Sequence, residues 1–252
     1  MSLVALSLSL GFIVLALLLS LWLKLGLERD LVIATFRSAI QLLIVGYVLK
    51  AVFALQDPIF NLIMVMLMIG VATQNVVKRG KGLRGITWRI LAALSLSEAV
   101  IQGFLIVFHI VPPTPQYVIP ISGMIVGNSM IVAGLLLNRL QSEVATRKQE
   151  ILLLLSLGGT PKQSIRHVLK EALRASMIPT IDSSKTIGLV QLPGMMTGQI
   201  IAGADPIQAV RYQLLIVFSL LAAAALTSII LGFLASPCLF NEHQQLVVGS
   251  SN

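Results

Sequence analysis

The chain has 252 residues, 56% of them hydrophobic and 11% charged, with a mean hydropathy of +0.93. These values exclude an ordinary water-soluble domain and specify an all-α protein that crosses a membrane several times. The formal net charge of +8 falls on loops between apolar segments, where topology and anionic lipid headgroups account for it, so no nucleic-acid partner is expected.

Apolar segments near the roughly 20 residues that a spanning helix needs occupy about 3–23, 32–53, 60–77, 89–109, 117–137 and 211–234. A further segment, 178–213, is apolar but interrupted by Pro193-Gly194, which brings the expected count to about seven transmembrane helices. The first segment has no preceding Lys or Arg and no small-residue cleavage site after it, so it reads as a retained helix rather than a signal peptide. Lys24 and Arg29 follow span one, and Lys78, Arg79, Lys81, Arg84 and Arg89 separate spans three and four. A third basic cluster separates spans five and six, and the opposite connections carry only Lys50 and Arg211. The bias places the N-terminus outside and the C-terminus in the cytoplasm, in a single membrane domain over 1–252.

Span two carries Arg37 and Gln41 one turn apart, and span four carries Glu98 and Gln102 in the same way. At about 1.5 Å per residue, Gln41 and Glu98 fall at similar depths near mid-membrane, and an Arg37–Glu98 pair is geometrically open. A charge there costs about 2.5 to 3.5 kcal/mol on insertion scales, which makes Glu98 a candidate for a transport pathway or a metal. The other reading is a structural ion pair joining two helices; Arg37 can snorkel to the cytoplasmic surface. Met64, Met66 and Met68 alternate along span three and cannot share a helical face, which argues against a thioether metal site.

GMIVGN (Gly123 to Asn128) in span five and GMMTGQ (Gly194 to Gln199) in span six share a GxxxG followed by an amide. Close helix packing explains that pattern. A second reading sets the two pieces facing each other, or a symmetry mate, across a pathway, with Met124, Met195 and Met196 as adaptable surface. Asn128, Pro193, Gly194 and Gln199 join Gln41, Glu98 and Gln102 as pathway or gate candidates. Pro193 lacks the N–H that would bond the Leu189 carbonyl, so a helix passing through it needs another partner for that group.

Between spans five and six, about 138–177 forms the one sizeable soluble segment, read as two helices joined at Gly158-Gly159. Thr160 is a suitable N-cap, Pro161 fits the first helical position and Gln163 completes a capping box. The second helix is amphipathic: Ile165, Val168, Leu169, Ala172, Leu173 and Met177 share a face, opposite Lys162, Arg166, His167, Lys170 and Arg174. It either lies on the cytoplasmic leaflet or docks a partner. Asp205, followed by Pro206 and Gln208, reads as the cap of the last span, and Asp182 as the cap of span six. His109 sits at the outer end of span four as an interfacial residue.

No Walker A pattern, HExxH or serine triad occurs, and AGAD (Ala202 to Asp205) lacks the second glycine of an intramembrane protease motif. The chain is therefore expected to be no enzyme and to bind no cofactor. Cys238, the single cysteine, reads as a passive residue at the end of the last span.

The string LGGTPKQSIRHVL, Leu157 to Leu169, resembles the coupling segment of ABC-transporter permeases, a short cytoplasmic helix seated in a cleft of the ATPase subunit. Gly158, Gly159, Thr160, Pro161, Gln163 and Arg166 would then couple to that ATPase. Glu150 stands too far from Gly158 for the family glutamate's role to be carried over. With RSAIQLLIVGYVLK (Arg37 to Lys50), VIPISGMIVGNSM (Val118 to Met130) and DSSKTIGLVQLPGMMTGQIIAGADP (Asp182 to Pro206), the chain from about 27 to 248 resembles the FetB family of ABC permeases. That family includes bacterial iron-export permeases and plant aluminium-tolerance relatives. The resemblance implies an inner-membrane permease, two copies working with separate ATPase subunits that hold ATP and Mg, and iron as the exported cargo. A proton-coupled transporter using Glu98, or an exporter of a non-metal solute, are the alternatives.

Overall fold

The computed structural model describes residues 3–55, 58–80, 83, 85–241 and 243–247. Lys81 and Arg84 of the basic loop, and the end of the resemblance at Val248, lie outside them. The chain divides into two compact units, Met1–Asp57 and Pro58–Asn252.

The first unit is a helical hairpin of α1 (Leu3–Trp22) and α2 (Glu28–Leu55). Its turn uses left-handed backbone at Lys24 and Gly26, and the Ser20 hydroxyl donates to the Glu28 carboxylate at 2.8 Å. Arg37 and Gln41 are exposed within this unit. Both helices are apolar over most of their circumference, as helices surrounded by lipid are.

The second unit contains α3 (Pro58–Val77), α4 (Ile86–Val107), α5 (Pro115–Thr146), α6 (Lys148–Ser156), α7 (Pro161–Ser164), α8 (Arg166–Thr186), α9 (Gly194–Ile201) and α10 (Pro206–Ala235). A 3-10 turn, Ser236–Leu239, closes it. Proline occupies the first helical position of α5, α7 and α10, where its missing N–H costs nothing. Side-chain hydrogen bonds set the packing directions. Thr180 of α8 donates to Asn128 of α5 at 3.2 Å, and Asn128 donates to the Leu220 carbonyl of α10 at 3.2 Å. Ser176 and Ser228 meet at 2.8 Å. As α8 ascends from 176 to 180, α10 descends from 228 to 220, so the two run antiparallel. Ile121 and Ile125 of α5 share a cluster with Ile216 and Ala223 of α10, while Leu136 and Leu140 share another with Leu231 and Ala235, so α5 and α10 run parallel. Thr227 of α10 donates to Ser97 of α4 at 2.9 Å.

Two parallel helices joined in sequence need a return, and α8 with α9 supplies it. The expected sixth span, starting at an Asp182 cap, is corrected here. Helix α8 runs straight through Asp182, which pairs with Lys185 at 3.1 Å. Hydroxyls beside it bond back to the preceding turn: Ser184 donates to the Thr180 carbonyl at 2.7 Å, and Thr186 to the Ser183 carbonyl at 3.0 Å. Residues 187–193 are non-helical, and the eight residues of α9 reach only about 12 Å. Five helices among the described residues are long and apolar enough to cross a membrane: α2, α3, α4, α5 and α10; a shorter apolar helix covers Leu10–Trp22.

The long connection also differs from expectation. Helix α5 continues past Asn138 to Thr146, and the apolar face of α8 is covered by its own chain. Val168, Leu169 and Ala172 are buried in the larger cluster with residues of α5 and α10. A Cβ on Gly232 of α10 would lie 2.9 Å from Leu173 and 3.2 Å from Leu169, so glycine is what lets α10 approach α8. Neither leaflet nor partner is needed to cover that face.

Candidate functional site

Two places in the second unit combine the sequence candidates with geometry suited to function. The first is a cavity of about 450 Å³ between α3 and α4, closed toward the α4–α5 connection by Pro113 and Val118. Asn61, Glu98 and Gln102 line it amid apolar walls. All three side chains are buried, Glu98 with 3% exposure. Neither Glu98 oxygen, neither end of the Gln102 amide, nor the Asn61 carbonyl oxygen has a hydrogen-bond partner. Ser122 of α5 stands beside Glu98, yet its hydroxyl closes no hydrogen bond. A buried polar group without a partner costs about 1–3 kcal/mol, which makes this cluster a candidate binding site.

Among the described residues no group of three or more His, Cys, Asp or Glu side chains could hold a metal ion. Around Glu98 the oxygen donors are amides and a hydroxyl, not further carboxylates. Asn61 and Ser122 were not singled out from the sequence. An amide only three residues into an apolar span was the available signal for Asn61; Ser122 is ordinary in sequence and acquires meaning only by facing Glu98.

The second place is the tip formed by α6, α7 and the start of α8. Gly158 has φ 86°, a left-handed conformation that releases the chain from α6. Gly159 donates to the Leu154 carbonyl at 2.9 Å, and a Cβ there would lie 2.7 Å from that same oxygen. Thr160 then caps α7: its hydroxyl accepts from the Gln163 N–H at 3.3 Å, and the Gln163 side chain accepts from the Thr160 N–H at 2.9 Å. Ser164 and Ile165 point into the core, while Thr160, Lys162, Gln163 and Arg166 are exposed. Leu157, 75% exposed, adds an apolar point to this tip. Glu150 is engaged nearby, in a 3.5 Å pair with Arg147.

The remaining candidates distribute as follows. Both ends of the Asn128 amide are occupied, by Thr180 and by the Leu220 carbonyl, so Asn128 joins three helices. Met124 and Met195 pack on the same small cluster, which includes residues of α5 and α10. A Cβ on Gly123 would touch Met68 at 3.9 Å, whereas among the described residues nothing lies within 4 Å of one on Gly127, Gly194 or Gly198. Pro193 precedes α9 as its cap, and its carbonyl accepts from the Thr197 N–H at 3.1 Å. Met196 and Gln199 are half-buried on α9. Asp205 caps α10, accepting from the Gln208 N–H at 3.1 Å. Cys238 accepts from the Arg89 guanidinium, fastening the end of the last span to the start of α4.

Comparison with known proteins places this architecture. The family described as "Uncharacterised protein family (UPF0014)" matches residues 3–240. The chain is 60% identical over 246 residues to the UPF0014 membrane protein YjkA of Bacillus subtilis, covering 98% of each. It is 41% identical to the probable iron export permease protein FetB of Escherichia coli, over 97% of this chain and 94% of that protein. It is 34% identical to the protein ALUMINUM SENSITIVE 3 of Arabidopsis thaliana, over 93% of this chain and 86% of that one. No solved structure matches. With near full-length identity to relatives named as membrane and permease proteins, and five apolar helices of spanning length, the chain belongs to the UPF0014 family of multi-pass membrane proteins, the family of FetB.

Proposed function

We propose that this chain is the permease subunit of an ATP-driven exporter in the cell inner membrane, with iron as its cargo. The observation that carries this reading is the tip at 157–166. It presents Thr160, Lys162, Gln163 and Arg166 outward on a turn fixed by a reciprocal capping box, while Ser164 and Ile165 root it in the core shared by α5, α8 and α10. A rigid projection of this kind transmits a push from a partner to the helices beneath it. The partner is a separate ATPase chain, which holds ATP and Mg, and two permease copies complete the transporter. The positive loops set the N-terminus outside and the C-terminus in the cytoplasm. The similarity to a protein named as a probable iron export permease supports the cargo.

The test is reconstitution of the chain with its ATPase in vesicles. Gly159→Leu drives a side chain against the Leu154 carbonyl, and Gln163→Trp changes the exposed face. Each is expected to lower transport per ATP hydrolysed about tenfold, a change of about 1.4 kcal/mol in coupling. Unchanged stimulation and transport in both variants would remove the coupling assignment. Glu98, buried without a partner, favours one other reading, a proton-coupled transporter. Transport by the purified chain alone that follows a pH gradient and ignores ATP would establish it instead.

A further inference from the structure

The cavity between α3 and α4 limits the charge of what enters it. Among the described residues its wall holds one acidic side chain, Glu98, and no Lys, Arg or His. Asn61 and Gln102 are neutral, and so is the adjacent Ser122. The rest of the lining is largely hydrocarbon and sulfur from Leu62, Val65, Met66, Ile69 and Ile106. An ionised Glu98 supplies one negative charge in a low-dielectric setting. A bare divalent ion seated against it would keep one positive charge uncompensated, at a cost of several kcal/mol. It would also have to exchange a shell of about six oxygen ligands for a wall that is mostly apolar. A singly charged cation leaves no such deficit. Its charge meets the carboxylate, its donors meet the unpartnered amide oxygens of Asn61 and Gln102, and its apolar body meets the walls. A cavity of about 450 Å³ lies within the range of about 300–1,000 Å³ typical of small-molecule sites.

We propose that this cavity binds a monovalent cation with an apolar body, with Glu98 as counter-charge and Asn61 and Gln102 as its hydrogen-bonding partners. The proposal rests on reading the chain as a permease and adds the charge and shape of the species it carries. Two sources share that chemistry: an organic ammonium, and a ferrous ion whose second charge is cancelled by a monoanionic organic chelator. On the second, iron leaves the cell as a complex and not as a bare ion.

Equilibrium dialysis of the full chain in lipid nanodiscs, corrected for empty nanodiscs, tests this with 2-naphthylethylammonium and its uncharged counterpart 2-naphthylethanol. The ammonium is expected to bind about tenfold or more tightly than the alcohol, and Glu98→Gln to abolish that preference. Gln102→Leu, which keeps the carboxylate, is expected to weaken the ammonium about threefold or more. Competition separates the sources: displacement by ferrous iron with one equivalent of maltolate identifies the chelate, and its absence identifies the organic cation. Equal binding of ammonium and alcohol overturns the proposal. So does an unchanged preference in Glu98→Gln, displacement by bare ferrous iron as effective as by the complex, or binding that appears only in Arg37→Ala. ATP-driven iron export in vesicles is measured in parallel. Iron export without cation binding rejects this cavity's role alone, and cation binding with ATP-driven transport of neither iron nor the bound ammonium rejects the permease reading.

Discussion

Around α7 and the lower half of α5, Leu136, Leu137, Leu140, Val144 and Ile151 are wholly enclosed and interlock with Ile165, Ala172, Leu231 and Leu239. Toward the α4–α5 connection the buried cluster shrinks to residues such as Ile101, Ile121, Ile125 and Ile216. There it borders a cavity of about 470 Å³, and the cavity of about 450 Å³ beside Glu98 lies along the same half of α4. The same helices α4, α5 and α10 build both regions. One therefore behaves as a stiff lever, because close-packed interiors transmit displacement with little give. The other, with fewer contacts and unpartnered polar atoms, can change shape around a solute.

Three experiments test the contrast, beginning with the largest effect. Leu137→Ala in the enclosed region is expected to destabilise the protein by about 3 kcal/mol, whereas Val118→Ala beside the cavity should cost about 1 kcal/mol. Equilibrium unfolding in mixed micelles measures both, and equal losses would abolish the distinction. Next, Thr160→Ala removes one half of the capping box and is expected to cost about 1 kcal/mol. Because the turn holds exposed Gln163 in place, this variant should also raise hydrogen exchange at residues 160–164 while leaving α5 protected. Exchange that rises equally in α5 would mean the tip is not an independent projection. The smallest effect concerns the Ser176–Ser228 contact between α8 and α10. A double-mutant cycle to alanine is expected to give about 0.6 kcal/mol, the usual worth of a buried hydrogen bond between membrane helices. A coupling near zero would leave apolar packing as the sole bond between α8 and α10.

Signals confined to a few neighbouring residues were legible in the sequence. Thr160, Pro161 and Gln163 specify their own cap, as Asp205, Pro206 and Gln208 do, because each partner lies within one turn. Asp182 has the same residue type with hydroxyl neighbours, but α8 was already formed and packed upstream, so those hydroxyls bond to the turn behind them. That Asn128 follows a GxxxG piece pointed to helix packing, but its partners, Thr180 and Leu220, are 52 and 92 residues away and could not be named from the sequence. The burial of α8 was hidden for a related reason: an amphipathic face shows that something covers it, not what does. Gly232 held that answer, yet a glycine in an apolar span is too common to be read alone. Glu98 stood out because a carboxylate in such a span is costly; Asn61 and Ser122 needed three helices brought together before they meant anything.

The non-helical stretch 187–193 bears on how the chain is made. Leu189 and Val190 there are 91% and 83% exposed, and α9 beyond it is far too short to be recognised as a membrane segment during synthesis. A nascent chain ending at Ile201 holds α8 and α9 but not α10, the helix against which they return. Only when α10 has emerged can its Ser228 and Leu220 carbonyl engage α8 and α5. The return therefore completes its packing only once α10 has been made, and a chain truncated before α10 is expected to leave Ser176 of α8 without its Ser228 partner.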